Sequence, residues 1–226
     1  DDLVDLLANR LPDDVPGLVG IVHAINDGVS ETTQGLASRT VWGRDWIEEQ
    51  VEVEPGHPVT LRLSAASFFQ TNSGMTGHLY RRAAEAAGLT GGEVLYDLFS
   101  GVGSIGVALG RLCKHVVAIE MVPEAVEDSR GNAERNGITN HTAMAGDVRV
   151  VLRENRGMLP EPDVAIVDPP RAGLSGGACR RILELVAAEQ PRPSPWYDPA
   201  APVLPYRKDR ELGAANLFNL HHGQRK

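Results

Sequence analysis

Glu120 stands 19 residues after Gly101 in the chain. An acid at the end of a strand can accept both hydroxyls of a ribose when a glycine turn beside it lets a nucleotide-like ligand reach the backbone. Such a turn is present in Val94-Leu-Tyr-Asp-Leu-Phe-Ser-Gly-Val-Gly-Ser-Ile-Gly106. The stretch reads as a buried strand, a sharp reversal through Gly101 and Gly103, and the opening of a helix with Ile105, Val107, Ala108 and Leu109. It sets backbone N–H groups and a helix start beside the carboxyl end of a parallel strand, where open α/β sheets bind such ligands. A glycine turn alone is a weak signal, and a lone acid at a strand end is equally a solvated carboxylate. Together they favour a bound nucleoside.

The pattern Asp97-x-Phe99-x-Gly101-x-Gly103 resembles the S-adenosylmethionine (SAM) sites of Rossmann-like methyltransferases. On that reading Phe99 packs on the ligand, or else belongs to the core. Ser104 donates its hydroxyl to the methionine carboxylate or, as the residue type favours at such a place, caps the following helix. Asp147, in Ala145-Gly-Asp147, accepts the adenine amino group, caps the helix over 148–156, or does both. Asp168-Pro-Pro-Arg-Ala-Gly173 closes a later strand beside the expected ligand. Its two prolines stiffen the backbone and hold nearby carbonyls in fixed directions. In methyltransferases acting on planar nitrogen or on bases, an Asp/Asn-Pro-Pro loop of this kind faces the acceptor.

Alternating strands and helices must position these residues. The sequence predicts strands at His115–Glu120, His141–Ala145 and Asp163–Asp168, and helices at Val122–Asn136, from Val148, and at Gly176–Glu189. That alternation predicts a mostly parallel α/β sheet with helices on both faces. Ahead of it comes a helix over Ser73–Ala87, with Ser73 as N-cap and Leu79, Ala83 and Ala87 on one face. Residues 1–63 are expected to form a small, mostly antiparallel β unit. It starts with a helix over Asp2–Arg10 that ends before Pro12 and carries Leu3, Leu6 and Leu7 on one side. Strands follow at Leu18–Ile25, Arg39–Trp42 and Val59–Leu63, with a turn at Asn26-Asp-Gly28. Residues 64–190 are expected to form an incomplete ligand-binding domain. Six prolines between Pro191 and Pro205 exclude a central strand there, and residues 191–226 are expected to be a loosely ordered tail with a weak helix over Asp209–His222.

Composition narrows the class. At 226 residues with 42% hydrophobic content the chain can bury a core, and it has no apolar run long enough to span a bilayer. It begins Asp1-Asp-Leu-Val-Asp, without a signal-peptide pattern and without Met, as a fragment or processed chain would. Cys113 and Cys179 lie far apart with no metal-ligand spacing, which predicts a reducing, cytoplasmic setting and no metal cluster. The net charge of −8 is uneven: residues 1–66 carry 12 acids and four bases, whereas residues 191–226 carry three acids and six bases. A general nucleic-acid binder shows a basic footprint, so an RNA role here rests on a local groove.

Five segments in order resemble the RNA (uracil-5-)-methyltransferase family, which makes 5-methyluridine in tRNA and rRNA. They are Phe68-Phe-Gln-Thr-Asn72, Asp97-Leu-Phe-Ser-Gly-Val-Gly103, Val116 to Arg130, Asn132-Ala-Glu-Arg-Asn-Gly137 and Asp168-Pro-Pro-Arg-Ala-Gly-Leu174. They cover roughly residues 64–188, and 14–60 resemble the family's small β domain more weakly. The Phe-Phe-Gln-x-Asn and Asp-Pro-Pro-Arg-Ala-Gly elements are specific to it. The resemblance implies a Rossmann-like fold, SAM as cofactor and RNA as substrate. It implies SAM contacts at Gln70, Phe99, Glu120 and Asp168, with Ser104 and Asp147 beside them. The Gln70 amide offers both a donor and an acceptor, which suits a zwitterionic or base ligand, or else it stabilises a turn.

The family adds a cysteine thiolate to C6 of uracil, because C5 is otherwise too poor a nucleophile to take the methyl group, and a base then removes the C5 proton. That cysteine lies in a Ser-Cys-Asn-Pro loop. The corresponding place here reads Gln190-Pro-Arg-Pro-Ser-Pro-Trp-Tyr-Asp198, without cysteine, and the family's C-terminal acid is also unmatched. No catalytic residue is therefore assigned. Cys113 is expected away from the ligand edge and Cys179 in helix packing. The break near Gln190 is expected of an altered reading frame or a divergent end. A non-catalytic SAM- or RNA-binding protein stays open as the alternative, and an NAD-linked oxidoreductase leaves Phe-Phe-Gln and Asp-Pro-Pro-Arg unexplained.

Overall fold

The computed structural model describes residues 2–25, 37–65, 67–186 and 216–218. Its main sheet has the order β7-β6-β5-β8-β9. The parallel strands are β5 (Val94–Leu98), β6 (His115–Glu120), β7 (His141–Ala145) and β8 (Val164–Val167). Helices α3 (Ser104–Leu109), α4 (Pro123–Arg135), α5 (Val148–Glu154) and α6 (Gly176–Val186) alternate with them. Strands β5, β6 and β8 are near-continuous buried runs because both their faces are covered, whereas β7 (His-Thr-Ala-Met-Ala) buries only Ala143. On one face Leu95, Val116 and Val164 pack against α2 (Ser73–Ala87) and a β hairpin. On the other, Leu98, Val117 and Ile119 meet Val151 and Leu152 of α5 and Ile182 of α6.

That hairpin comprises β3 (Trp46–Val51) and β4 (Val59–Ser64), antiparallel, with Val51, Leu61 and Leu63 buried in the same apolar cluster as Leu95. Strand β3 was not expected, because Glu48, Glu49 and Gln50 break up its apolar alternation. What seats its first residue is a pair of arginines, with the Arg44 and Arg62 guanidinium carbons 4.0 and 5.0 Å from the Trp46 ring centre. Strands β1 (Gly20–Ile25) and β2 (Ala37–Gly43) form a separate two-stranded antiparallel sheet.

Asparagines of α4 weld the hairpin to the sheet. Asn132 accepts the Arg62 N–H at 2.7 Å and donates to the Arg62 carbonyl at 3.1 Å, while Asn136 does the same to Thr60 at 2.8 Å each way. Four residues along a helix advance about 6 Å, and two along a strand about 6.6 Å. The Asn-x-x-x-Asn spacing therefore matches a strand edge and mimics a neighbouring strand. Asn132 also donates to the Val102 carbonyl at 3.1 Å, tying the glycine turn into the same knot.

Several expectations are corrected. Helix α1 (Asp2–Asp14) continues through Pro12, which removes one backbone donor near the helix end without stopping it, and Leu3, Leu6 and Leu7 stay exposed. In α2 the N-cap position belongs to Asn72, not Ser73, and the buried face is Thr76, Tyr80, Ala83, Ala84 and Ala87 while Leu79 is turned outward. In place of a helix over 209–222, Asn216–Phe218 form β9, antiparallel to β8 at the sheet edge. The remaining tail, the turn at 26–28 and the expected end of α6 at 187–189 lie outside the described residues. No described helix is long and apolar enough to cross a membrane.

Candidate functional site

The chain reverses sharply after β5. The N–H groups of Phe99 and Ser100 both donate to the Ile119 carbonyl, at 2.9 and 3.1 Å, which pins the turn to β6. Phe99 has φ +67°, a left-handed conformation that costs a side-chain-bearing residue roughly 1–2 kcal/mol. A Cβ on Gly103 would stand 2.1 Å from Ser129 Oγ, so only glycine lets α4 approach the turn there. A Cβ on Gly101 would meet nothing within 4 Å, so that residue opens away from the protein.

Glu120 closes the turn from the neighbouring strand. Its Oε2 accepts the Gly101 N–H at 3.0 Å and its Oε1 the Val122 N–H at 2.9 Å. Each oxygen keeps a free lone-pair direction, so the half-buried carboxylate can still accept hydroxyl donors.

Ser104 does not cap α3. Gly103, in the left-handed conformation, occupies the cap position, and Ser104 is the first helical residue. Its hydroxyl lies 2.8 Å from the Tyr80 hydroxyl. Tyr80 is fully buried on α2, and that burial raises its pKa against the opposing hydrogen bond from Ser104. Sequence reasoning missed Tyr80. The signal was its place in the stripe Thr76, Tyr80, Ala84, one helical turn apart at each step.

Asp97, 1% exposed, takes over the capping: its Oδ2 accepts the Gly106 N–H of α3 at 2.9 Å. Its Oδ1 has no partner among the described residues. Burial pushes the Asp97 carboxyl up to about 7; the Gly106 N–H opposes this, and the charges of Asp168 and Glu120 add to it.

Gln70 and Asp168, 98 residues apart, meet with Gln70 Nε2 3.5 Å from Asp168 Oδ2, a long contact. Asp168 is half-buried, and burial raises its pKa. Asp147 performs the capping role, its Oδ1 accepting the Arg149 N–H at 2.8 Å. Arg149 also grips it bidentately, through Nε on Oδ1 at 2.8 Å and Nη2 on Oδ2 at 2.7 Å. That guanidinium holds the Asp147 carboxyl down at about 2. Phe99 and Asp147 line a cavity of about 180 Å³ together with Met121, Arg149, Ser175 and Ala178. Glu120, Gln70 and Asp168 do not line it: Glu120 holds the Gly101 N–H, the Asp168 N–H meets the Leu98 carbonyl at 3.4 Å, and Gln70 reaches Asp168. Met121, 62% exposed just after Glu120, went unnoticed in the sequence because an exposed Met carries no distinguishing pattern.

Cys113 is not placed as an activated thiol. Cys113 is buried, which pushes its thiol up to about 12 with help from Glu93. Cys179 is a partly exposed free thiol on α6. Residues 190–198 lie outside the described residues.

A sequence profile described as tRNA (Uracil-5-)-methyltransferase matches residues 28–187. An uncharacterized RNA methyltransferase of Staphylococcus epidermidis is 36% identical over 181 residues, covering 80% of this chain and 39% of its own length. One from Porphyromonas gingivalis is 39% identical over 172 residues, covering 74% of this chain and 35% of its own. The chain thus spans about two-fifths of the length of the curated relatives it matches. Among solved structures it resembles the Pyrococcus abyssi tRNA (uracil-54, C5)-methyltransferase in complex with S-adenosyl-L-homocysteine. That match has a TM-score of 0.56 and 29% identity, over 76% of this chain and 40% of that one. The M. jannaschii tRNA m1G37 methyltransferase, at a TM-score of 0.52 and 16% identity over 84% of this chain and 52% of that one, shares the fold. A Rossmann-like sheet with this glycine turn, its Asn-x-x-x-Asn clip and its Asp-Pro-Pro-Arg strand end, matched over most of its length, belongs to the tRNA (uracil-5-)-methyltransferase family.

Proposed function

We propose that this chain carries the cofactor half of an enzyme that methylates C5 of a uracil in tRNA or rRNA, giving 5-methyluridine. The observation that carries the reading is the meeting of Gln70 with Asp168. It joins the two elements that set this family apart, beside a turn whose Gly101 side is open. The residues present fit SAM: carboxylates surround the turn, and Asp97 keeps a buried oxygen without a donor. When bound, SAM supplies an electrophilic methyl group on a sulfonium. Glu120 holds the ribose hydroxyls. Phe99 packs on the adenine, and Asp147 accepts its amino group on the oxygen that carries a single Arg149 donor. Ser104, oriented by Tyr80, donates to the carboxylate end, and Gln70 and Asp168 contact the cofactor on the side of the acceptor base. Gly101 and Gly103 give the backbone its close approach.

The acceptor needs a nucleophile at C6. Cys113 is excluded by its burial and raised pKa, and the family's position for the thiol falls in 190–198, where the sequence has no cysteine. That absence favours one second reading, a SAM- or RNA-binding protein without methyl transfer. The Pyrococcus abyssi neighbour is a tRNA (uracil-54, C5)-methyltransferase, which supports RNA as the partner. Titration with SAM, combined with methyl transfer to unmodified tRNA and rRNA and nucleoside analysis of the product, tests both. SAM binding with 5-methyluridine formation supports the first reading, binding of SAM or RNA without transfer the second, and failure to bind either SAM or RNA refutes both.

A further inference from the structure

Asp97 has a more demanding place than a helix cap requires. It lies on the middle strand, 1% exposed, and among the described residues it has one N–H donor on Oδ2 and none on Oδ1. A buried carboxylate ordinarily gathers several donors or a cation, because the charged form is otherwise poorly solvated. The charges facing it make matters worse: Asp168 at the end of β8 and Glu120 at the end of β6 both act on it, and each is negative. Tyr80 of α2 faces it as a phenol whose pKa is raised further, and it does not ionise in the working range. His141 of β7 also approaches, since a Cβ on Gly106 would lie 3.0 Å from Asp97 Oδ2 and 3.4 Å from His141 Nε2. Burial holds His141 down at about 4, so it brings no positive charge near neutrality. Nothing among the described residues supplies the cation that would stabilise an ionised Asp97.

Resting on the reading of the site as a SAM site, we propose that Asp97 senses the charge of the ligand: it carries a proton in the ligand-free protein and gives that proton to solvent when a sulfonium nucleoside binds. The balance is simple. The protonated acid and the cation give the carboxylate–cation complex and one released proton, with no bond to carbon or sulfur changed. S-adenosylhomocysteine (SAH), the thioether left after methyl transfer, lacks the sulfonium charge and leaves the proton on Asp97. The site therefore grips the charged methyl donor more tightly than its neutral product, and the preference switches on as pH rises through neutrality.

The size follows from Coulomb's law. A unit charge placed about 6 Å from the carboxylate would, at an effective dielectric constant of about 20, lower the acid's pKa by roughly two units. From about 7 in the free protein, such a shift makes the SAM-to-SAH affinity ratio rise about tenfold between pH 6 and pH 8. Taking the ratio cancels the amino-acid end, which both ligands share.

The test is calorimetric titration of the wild type and Asp97→Asn with SAM and with SAH at pH 6, 7 and 8. At pH 7 each is repeated in two buffers of different ionisation enthalpy. The asparagine still accepts the Gly106 N–H but has no charge to gain. The expected result is a tenfold rise of the ratio in the wild type and a flat ratio in Asp97→Asn. At pH 7, SAM should release about half a proton more than SAH from the wild type. A flat wild-type ratio, or an equal rise in the variant, overturns the proposal. Should Asp97→Asn fail to fold, the wild-type proton count decides alone, and equal counts for SAM and SAH overturn it. Failure of the wild type to bind either ligand refutes the SAM reading itself. Binding of both without the pH-dependent ratio refutes only the role given to Asp97.

Discussion

Replacing Asn132 with alanine removes the side chain at the centre of the knot joining hairpin, helix and glycine turn. Asn132 is fully buried and makes three hydrogen bonds to backbone: from Arg62 N–H at 2.7 Å, and to the Arg62 and Val102 carbonyls at 3.1 Å each. Each buried backbone group left without a partner costs about 1–3 kcal/mol, and carbonyls, with two lone pairs, sit at the low end. Allowing partial rescue by water, Asn132→Ala is expected to destabilise the fold by about 3 kcal/mol. Asn136→Ala, whose bonds to Thr60 are only part-buried, should cost about 1–2 kcal/mol. Because both asparagines serve one strand edge, the double variant should lose less than the sum. Urea denaturation followed by far-UV circular dichroism reads these differences as shifts in midpoint at constant slope. Val102 lies inside the glycine turn, so SAM affinity should also fall in Asn132→Ala and not in Asn136→Ala. A midpoint for Asn132→Ala equivalent to less than about 0.5 kcal/mol of lost stability, within the range of ordinary surface changes, would refute the idea that this clip holds hairpin and sheet together.

Gly103→Ala should destabilise by about 2 kcal/mol or more, because the new methyl meets Ser129 Oγ at 2.1 Å and the backbone sits at φ +74°. Thermal melts should show part of that loss recovered in Gly103→Ala/Ser129→Gly, where the clashing side chain is gone. His141 titrates near 4 in the folded chain, held there by burial and by His115, against an ordinary 6.5. The unfolded chain therefore binds a proton at this residue between those values while the folded one does not. Stability must fall as pH drops from 6.5 to 4, by up to about 3 kcal/mol from this group. His141→Leu should flatten that limb of the stability–pH curve, and an unchanged limb would contradict the assignment.

Strands β5 and β6 and the helices that follow them were legible because largely apolar runs of five or six residues alternate with amphipathic stretches, and Pro123 and Gly137 bracket α4. Glu120 was legible through its distance from Gly101. What it does in the fold was not, since acceptance of two backbone N–H groups depends on a three-dimensional turn. Ser104 was misread as a cap because residue type favours it there, whereas the left-handed backbone of Gly103 decides the position. Asn132 and Asn136 were visible as a motif whose physical sense appears only beside the free edge of β4. Pairing of Asn216–Phe218 with β8 depends on partners some fifty residues away, and short-range periodicity carries no trace of it.

The central claim is that a SAM nucleoside lies across these strand ends with its ribose on Glu120. Its most direct test is the SAM dissociation constant, by calorimetry, of the wild type against Glu120→Ala and Glu120→Gln. Loss of a charge-assisted hydrogen bond to the ribose predicts binding about ten- to a hundredfold weaker in Glu120→Ala. Glu120→Gln, which can accept only one of the two N–H groups now held by the carboxylate, should fall between it and the wild type. Affinities within twofold of one another across all three folded proteins would contradict the placement.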